Sequence, residues 1–144
     1  CFKVLKNKFE KLPWYKWEKK YRRFDQKVFS KCNELFYNEL EIIKIIQFFF
    51  WVQWNDLKSY SKGKGIKLIG DLPIYVSHDS ADVWSNQDLF KLHENGEMVV
   101  KSGCPPDYFM DEGQLWGHPI YNWEEHEKDN FQWFLPRCPQ IRSR

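Results

Sequence analysis

Apolar residues at the start of the chain recur every third or fourth position. Phe2, Leu5, Phe9 and Leu12 share one helical face, and after Pro13 the stepping resumes through Trp14, Trp17, Tyr21, Phe24 and Val28. Two amphipathic helices are expected, with Pro13 opening the second. "NELE" then supplies Asn38 as an N-cap with Glu41 three residues on, the reciprocal pairing of a capping box. A long apolar helix should follow, closed by Lys58, Lys62 and Gly63. Its most apolar part, Ile42–Val52, is interrupted by Lys44 and Gln47 and is far shorter than a roughly 20-residue membrane span, so a buried helix is expected.

The pattern changes after Gly63-Lys64-Gly65. Ile66–Gly70 reads as a short strand with Asp71 at its C-terminal end, and Pro73 should end its ladder pairing. His78–Trp84 resembles a capped helical turn. Leu89–Leu92 and Met98–Lys101 flank "HENGE", whose Asn95-Gly96 pair favours a type I′ hairpin. Gly103–Trp123 then reads as a long loop, and Asp129–Arg137 as a last helix broken by Pro136. A helix, a short turn, a strand ending in Asp and an irregular excursion fit either a barrel or a doubly wound α/β fold, and periodicity alone leaves the two open.

Composition adds two facts. The chain holds 144 residues, the size of one domain or of a piece of a larger protein, and 19% of them are aromatic. Charge is uneven: residues 1–32 carry eleven Lys and Arg against three acids, although the whole chain is only +2. Such an opening would suit a nucleic-acid or membrane-surface binder. Because its aromatics fall at helical spacing, the solvated outer faces of helices are the preferred reading. Cys1, Cys32, Cys104 and Cys138 form no CxxC or Cys/His cluster, and no signal-peptide pattern is present, so free thiols in a cytoplasmic protein are expected.

Candidate chemistry concentrates in the loop. Sugar rings offer C–H faces to aromatic planes and hydroxyls to carboxylates and amides, so Tyr108, Phe109 and Trp116 beside Asp107 and Gln114 would grip a glucan. Rings that merely pin the loop to the surface are an equal alternative. Asp71 at a strand end would order a sugar hydroxyl, or simply cap the turn before Pro73, while Asp79 and Asp82 read as helix caps. The four histidines, His78, His93, His118 and His126, show no metal-ligand spacing, and no phosphate-cradling glycine loop is present, so no cofactor or metal is expected.

Two ordered stretches sharpen this. "GDLPIYVSHDSADVW" (Gly70–Trp84) and "GCPPDYFMDEGQLWGHPIYNW" (Gly103–Trp123) resemble the signatures of the 4-α-glucanotransferases, the amylomaltases or disproportionating enzymes of glycoside hydrolase family 77. Weaker agreement covers "LPWYKWEKKYR", "QFFFWVQWNDLKSYSKGKGI" and "FQWFLPR". The resemblance implies a (β/α)8 barrel with helical insertions, here as a part: helices over 1–62, then barrel strand, hairpin and active-site loop over 63–137, with a non-matching tail over 138–144. It implies an α-1,4-glucan substrate, a sugar acceptor and a retaining mechanism with two carboxyl groups about 5 Å apart.

Asp71, Asp107, Tyr108, Phe109, Gln114 and Trp116 match substrate-site positions of the family. Two residues depart from the usual pattern: His118 stands where Asn is usual, and Glu112 where Thr is common. The Arg-Ile-Asp-His motif that carries the nucleophile is absent, and "CPQIRSR" does not resemble the approach to it. A truncated or frameshifted piece with no transferase activity of its own is the expectation.

Overall fold

The structure, a computed structural model, describes residues 1–137. Cys138 and the 138–144 tail lie outside the described residues. The chain is mixed helix and strand around one core of buried residues, within which Trp17 and Trp84 belong to one aromatic cluster and Phe90, Tyr121 and Trp133 to a second.

Helix α1 (Phe2–Lys8) starts as expected but ends a turn early, because Glu10 and Lys11 adopt positive φ and reverse the chain. The expected helix from Trp14 to Val28 does not form. Two 3-10 turns, Trp14–Lys16 and Lys19–Tyr21, take its place, separated by extended backbone at Trp17 and Glu18. The stepping of Trp14, Trp17 and Tyr21 survives because each turn delivers its ring to one core, where all three are buried.

Hydrogen bonds explain the preference. Trp14 Nε1 donates to the His78 carbonyl at 2.7 Å, Trp17 Nε1 to Leu12 O at 2.8 Å, and Trp84 Nε1 to Tyr21 O at 2.8 Å. A continuous helix would have claimed the Tyr21 carbonyl for its own ladder. The 3-10 turns leave it free to satisfy a buried indole, which would otherwise sit unpaired at a cost of about 1–3 kcal/mol.

Helix α2 (Gln26–Leu35) is capped by Asp25, whose carboxylate accepts from Val28 N at 2.7 Å. It runs almost directly into α3 (Tyr37–Gly63), with Phe36 as the single junction residue. The expected capping box at Asn38 is therefore absent: Asn38 already lies inside the helix, and no side chain caps it. The close at Gly63 is as expected, with Lys62 in the last turn.

The expectation that α3 is buried is also corrected. Only Leu40 and Ser61 are buried along its 27 residues, and Phe50 and Trp51 stay 63% and 62% exposed. The described residues offer its apolar surface almost nothing to pack against. No helix among them is long and apolar enough to cross a membrane.

Ile66–Gly70 does not form a strand. A strand exists only through a ladder, and no described segment pairs with it, so residues 66–76 run as unpaired irregular backbone. Helix α4 (Ala81–Ser85) matches the expected capped turn, with Ser80 Oγ accepting from Val83 N at 3.2 Å. Asp79 and Asp82 do not cap it. Asp79 pairs with Lys6 and accepts from Trp14 N, while Asp82 pairs with Arg137.

The "HENGE" turn closes with His93 N to Glu97 O at 2.8 Å and Gly96 N to His93 O at 2.8 Å, around a single Leu92–Met98 bridge. Only Gly96 has positive φ, so the expected type I′ turn is replaced by a turn ending in a left-handed glycine. Gly96 is required twice over. Its φ is +86°, and a Cβ there would lie 2.6 Å from the Trp14 ring.

The long loop is partly regular. β1 (Lys101–Cys104) pairs antiparallel with β2 (Gln114–Pro119), so Gly103–Trp123 is mostly the tip and second strand of a two-stranded ribbon. Glycine makes the pairing possible at Gly103, where a Cβ would meet Gln114 O at 2.4 Å.

Beyond the ribbon, α5 (Trp123–Lys128) forms in a stretch to which no element was assigned, and the expected Asp129–Arg137 helix is replaced by a left-handed turn at Asn130 and Phe131 and a 3-10 turn at Leu135–Arg137. Trp133 and Phe134 thereby join Phe90, Tyr121 and His126 in the second aromatic cluster. Cys1, Cys32 and Cys104 are free thiols, and burial pushes the Cys32 thiol up.

Candidate functional site

The ribbon tip carries three of the candidate residues. Asp107 shapes it: its carboxylate accepts from Phe109 N at 2.9 Å and Met110 N at 3.0 Å, and its backbone bridges to Met110. That turn leaves Tyr108 and Phe109 95% and 88% exposed, with ring centroids 5.6 Å apart and planes at 86°. Gly113, at φ +72°, brings the returning strand so close that a Cβ would lie 2.6 Å from Cys104 O. The tip is thus a tight backbone hairpin presenting two perpendicular rings to solvent.

Gln114 and Trp116 sit on β2, with Gln114 at its tip-side end opposite Cys104. Gln114 Oε1 accepts from Trp116 Nε1 at 3.0 Å, which turns the indole N–H inward toward its own strand and leaves the ring 45% exposed. Tyr75, from the irregular segment, comes within 6.0 Å of the Trp116 ring. It also stacks on His118 at 5.4 Å and 17°.

Asp71 lies four residues before Tyr75 on the same segment, exposed and without a hydrogen bond or ion pair among the described residues. The structure therefore assembles two groups. Asp107, Tyr108 and Phe109 form the tip, and Gln114 and Trp116 form a platform with Tyr75. Among the described residues no hydrogen bond or ion pair links Asp71 to the platform.

Tyr75 and Ser102 were missed by sequence reasoning as site-shaping residues. Tyr75 stands within the first signature stretch, where its aromatic character beside Asp71 was a usable signal. Ser102 carried none, since its role depends on the register of the ribbon. The segment bearing Tyr75 is anchored a second time by a hydrogen bond from the Tyr121 hydroxyl to Ile74 O. Burial raises the Tyr121 phenol above its ordinary range, so it stays protonated as that donor.

Chemically, the arrangement is a set of exposed ring faces with amide and carboxylate groups nearby. Apolar faces flanked by hydrogen-bonding groups match the two-sided character of a sugar ring. The carboxylate of Asp107 accepts both its bonds from backbone N–H groups, which makes it a structural anchor of the turn.

Comparison with known proteins agrees with this architecture. The family model described as 4-alpha-glucanotransferase matches residues 1–143. The chain is 44% identical over 137 residues to the 4-alpha-glucanotransferase of Clostridium butyricum, covering 94% of this chain and 28% of that protein. It is 38% identical to the chloroplastic/amyloplastic 4-alpha-glucanotransferase of Solanum tuberosum, covering 24% of it. Among solved structures, an amylomaltase from Streptococcus agalactiae in complex with acarbose superposes with a TM-score of 0.81 at 40% identity, over 94% of this chain and 28% of that one.

The chain belongs to the 4-alpha-glucanotransferase family. It spans about a quarter of the length of the relatives it matches.

Proposed function

We propose that these residues form the glucan-holding part of a 4-α-glucanotransferase, an enzyme that transfers an α-1,4-glucan segment to a sugar acceptor by a retaining mechanism. In this reading the segment 66–76 becomes a strand of a (β/α)8 barrel once neighbouring strands pair with it. Asp71 then stands at a strand end, where such barrels place substrate-binding groups. The nucleophile and acid/base carboxylates come from outside this chain, so these residues bind but do not cleave. No cofactor takes part, and a cytoplasmic setting fits the reading.

The observation that carries the proposal is the tip. Tyr108 and Phe109 are almost wholly exposed on a hairpin whose geometry is fixed by Asp107 and Gly113. Rings held this far into water stabilise nothing among the described residues, and ligand contact is the use this reading gives them. A transferase also needs its acceptor to reach the covalent intermediate before water does, and an aromatic loop over the site both excludes water and orients the acceptor.

The basic opening is spent differently. Lys6 pairs with Asp79, Lys20 with Glu18 and Arg23 with Asp88, so part of its charge is neutralised locally.

Calorimetric titration with maltoheptaose tests the proposal. Binding is expected, and Trp116→Ala should weaken it about tenfold, the scale of one well-placed aromatic contact. Absence of maltoheptaose binding by the unaltered chain, or undiminished binding by the Trp116→Ala variant, would overturn it.

A further inference from the structure

The ribbon has an irregularity whose purpose lies in His118. Its register steps from Lys101↔Pro119 to Gly103↔Leu115, so β2 carries two more residues than β1 across that step. The excess falls on Trp116, Gly117 and His118, and Gly117 takes the positive φ, +77°, that such a bulge requires.

Ser102 holds the bulge closed from β1. Its buried hydroxyl oxygen accepts from His118 N at 3.1 Å and lies 3.1 Å from His118 Nδ1. Whichever of the two groups donates, the contact ties Nδ1 to Ser102 and restrains the ring plane. Against that fixed plane the Tyr75 ring stacks at 17°.

We infer that His118 is a positioning residue: its imidazole, locked by Ser102, holds the Tyr75 ring beside Trp116 and so joins the 66–76 segment to the ribbon as one binding surface. Among the described residues the Tyr75 ring otherwise meets the ribbon only in its looser contact with Trp116 at 6.0 Å and 59°, while the neighbouring Ile74 carbonyl accepts from the Tyr121 hydroxyl. The segment has no ladder of its own, so side-chain contacts decide where it lies. The consequence for binding rests on the glucan-holding reading, whereas the placement of Tyr75 does not.

Three variants separate the stack from the bulge. His118→Phe keeps a flat ring against Tyr75 but loses the Ser102 bond. His118→Asn, the residue usual in the resembled signature, keeps a polar partner for Ser102 and removes the ring, and His118→Ala removes both. Two measurements are made on the full chain: nuclear Overhauser contacts between the Tyr75 and Trp116 ring protons, whose centroids lie 6.0 Å apart, and maltoheptaose affinity by calorimetry.

The Tyr75–Trp116 ring contacts should be lost, and affinity should fall about fivefold, in the Asn and Ala variants, the scale of one aromatic pair. The Phe variant should keep those contacts and stay within about twofold of the unaltered chain in affinity, because the stack persists. Ring contacts that persist in the Asn and Ala variants overturn the inference whatever the glucan does, as does a Phe variant that behaves like Ala. If the unaltered chain binds no maltoheptaose, the glucan reading fails, and the ring contacts still decide the role of His118.

Discussion

Two groups of aromatic residues in this chain are made of the same side chains and put to opposite uses. Around Trp14, Trp17, Tyr21 and Trp84 every ring is buried, and each of the three indole N–H groups reaches a backbone carbonyl, two of them across more than 60 residues of sequence. Around Tyr108 and Phe109 the rings stand in water, and the hydrogen bonds beneath them belong to the backbone turn. In the first group the rings hold the backbone in place; in the second the backbone holds the rings in place. Truncating a ring should therefore cost stability in one group and ligand affinity in the other.

The largest effect expected is that of Trp14→Ala. The substitution removes a fully buried side chain, abandons the His78 carbonyl, and opens a cavity against Gly96. A loss of about 3–5 kcal/mol is expected from urea denaturation. A loss no greater than that of an exposed ring would break the distinction between the two groups.

A smaller effect, tied to pH, sharpens the same contrast. His78 is buried between Tyr15, stacked at 4.6 Å, and the edge of Trp14, and its Nε2 lies 2.8 Å from Gly96 O. Burial lowers its pKa below the ordinary value, against the raising influence of the Gly96 carbonyl, Asp79 and Glu97, while Lys101 adds to the lowering.

The unfolded chain then takes up a proton at higher pH than the folded one. Stability contributed by neutral His78 is fully present above about pH 6.5 and is lost as pH falls toward the lower folded value. Urea midpoints measured through that window should decline with acid, and His78→Gln should flatten this part of the decline. An unaltered acid slope in the variant would show that His78 does not report on the buried group.

The smallest stability effect belongs to the tip. Phe109→Ala should change the unfolding free energy by about 0.5 kcal/mol or less, as is usual for exposed positions. The same variant should still weaken maltoheptaose binding. A large stability loss would mean that the ring packs somewhere and that the tip is part of the core.

How much of this was legible beforehand varies with the element. The caps and breaks that depend on neighbouring residues were partly readable: Ser80 ahead of α4, the close of α3 at Gly63, and a turn at Asn95-Gly96. Where the expectation failed, a distant partner outweighed local preference. The helix expected over Trp14–Val28 gave way because the Tyr21 carbonyl is needed by Trp84, and the capping box at Asn38 was overridden by the direct run from α2 into α3. The candidate site shows the same split. Its aromatic and carboxylate residues stood out by type and order, whereas the contacts of Tyr75, Ser102 and His118 depend on a bulged register between strands and on a separate irregular segment.

From the sequence alone came the identity of the elements that need only their neighbours, the concentration of rings in Gly103–Trp123, and the two signature stretches that place the chain in its family. Tertiary structure decided which rings are core and which are free. Burial, ladder pairing and carbonyl acceptance are properties of residue pairs that lie far apart in the chain, and no local pattern records which pairs will meet. Ile66–Gly70 shows the limit in the simplest form: its composition is that of a strand, and without a partner edge it is not one.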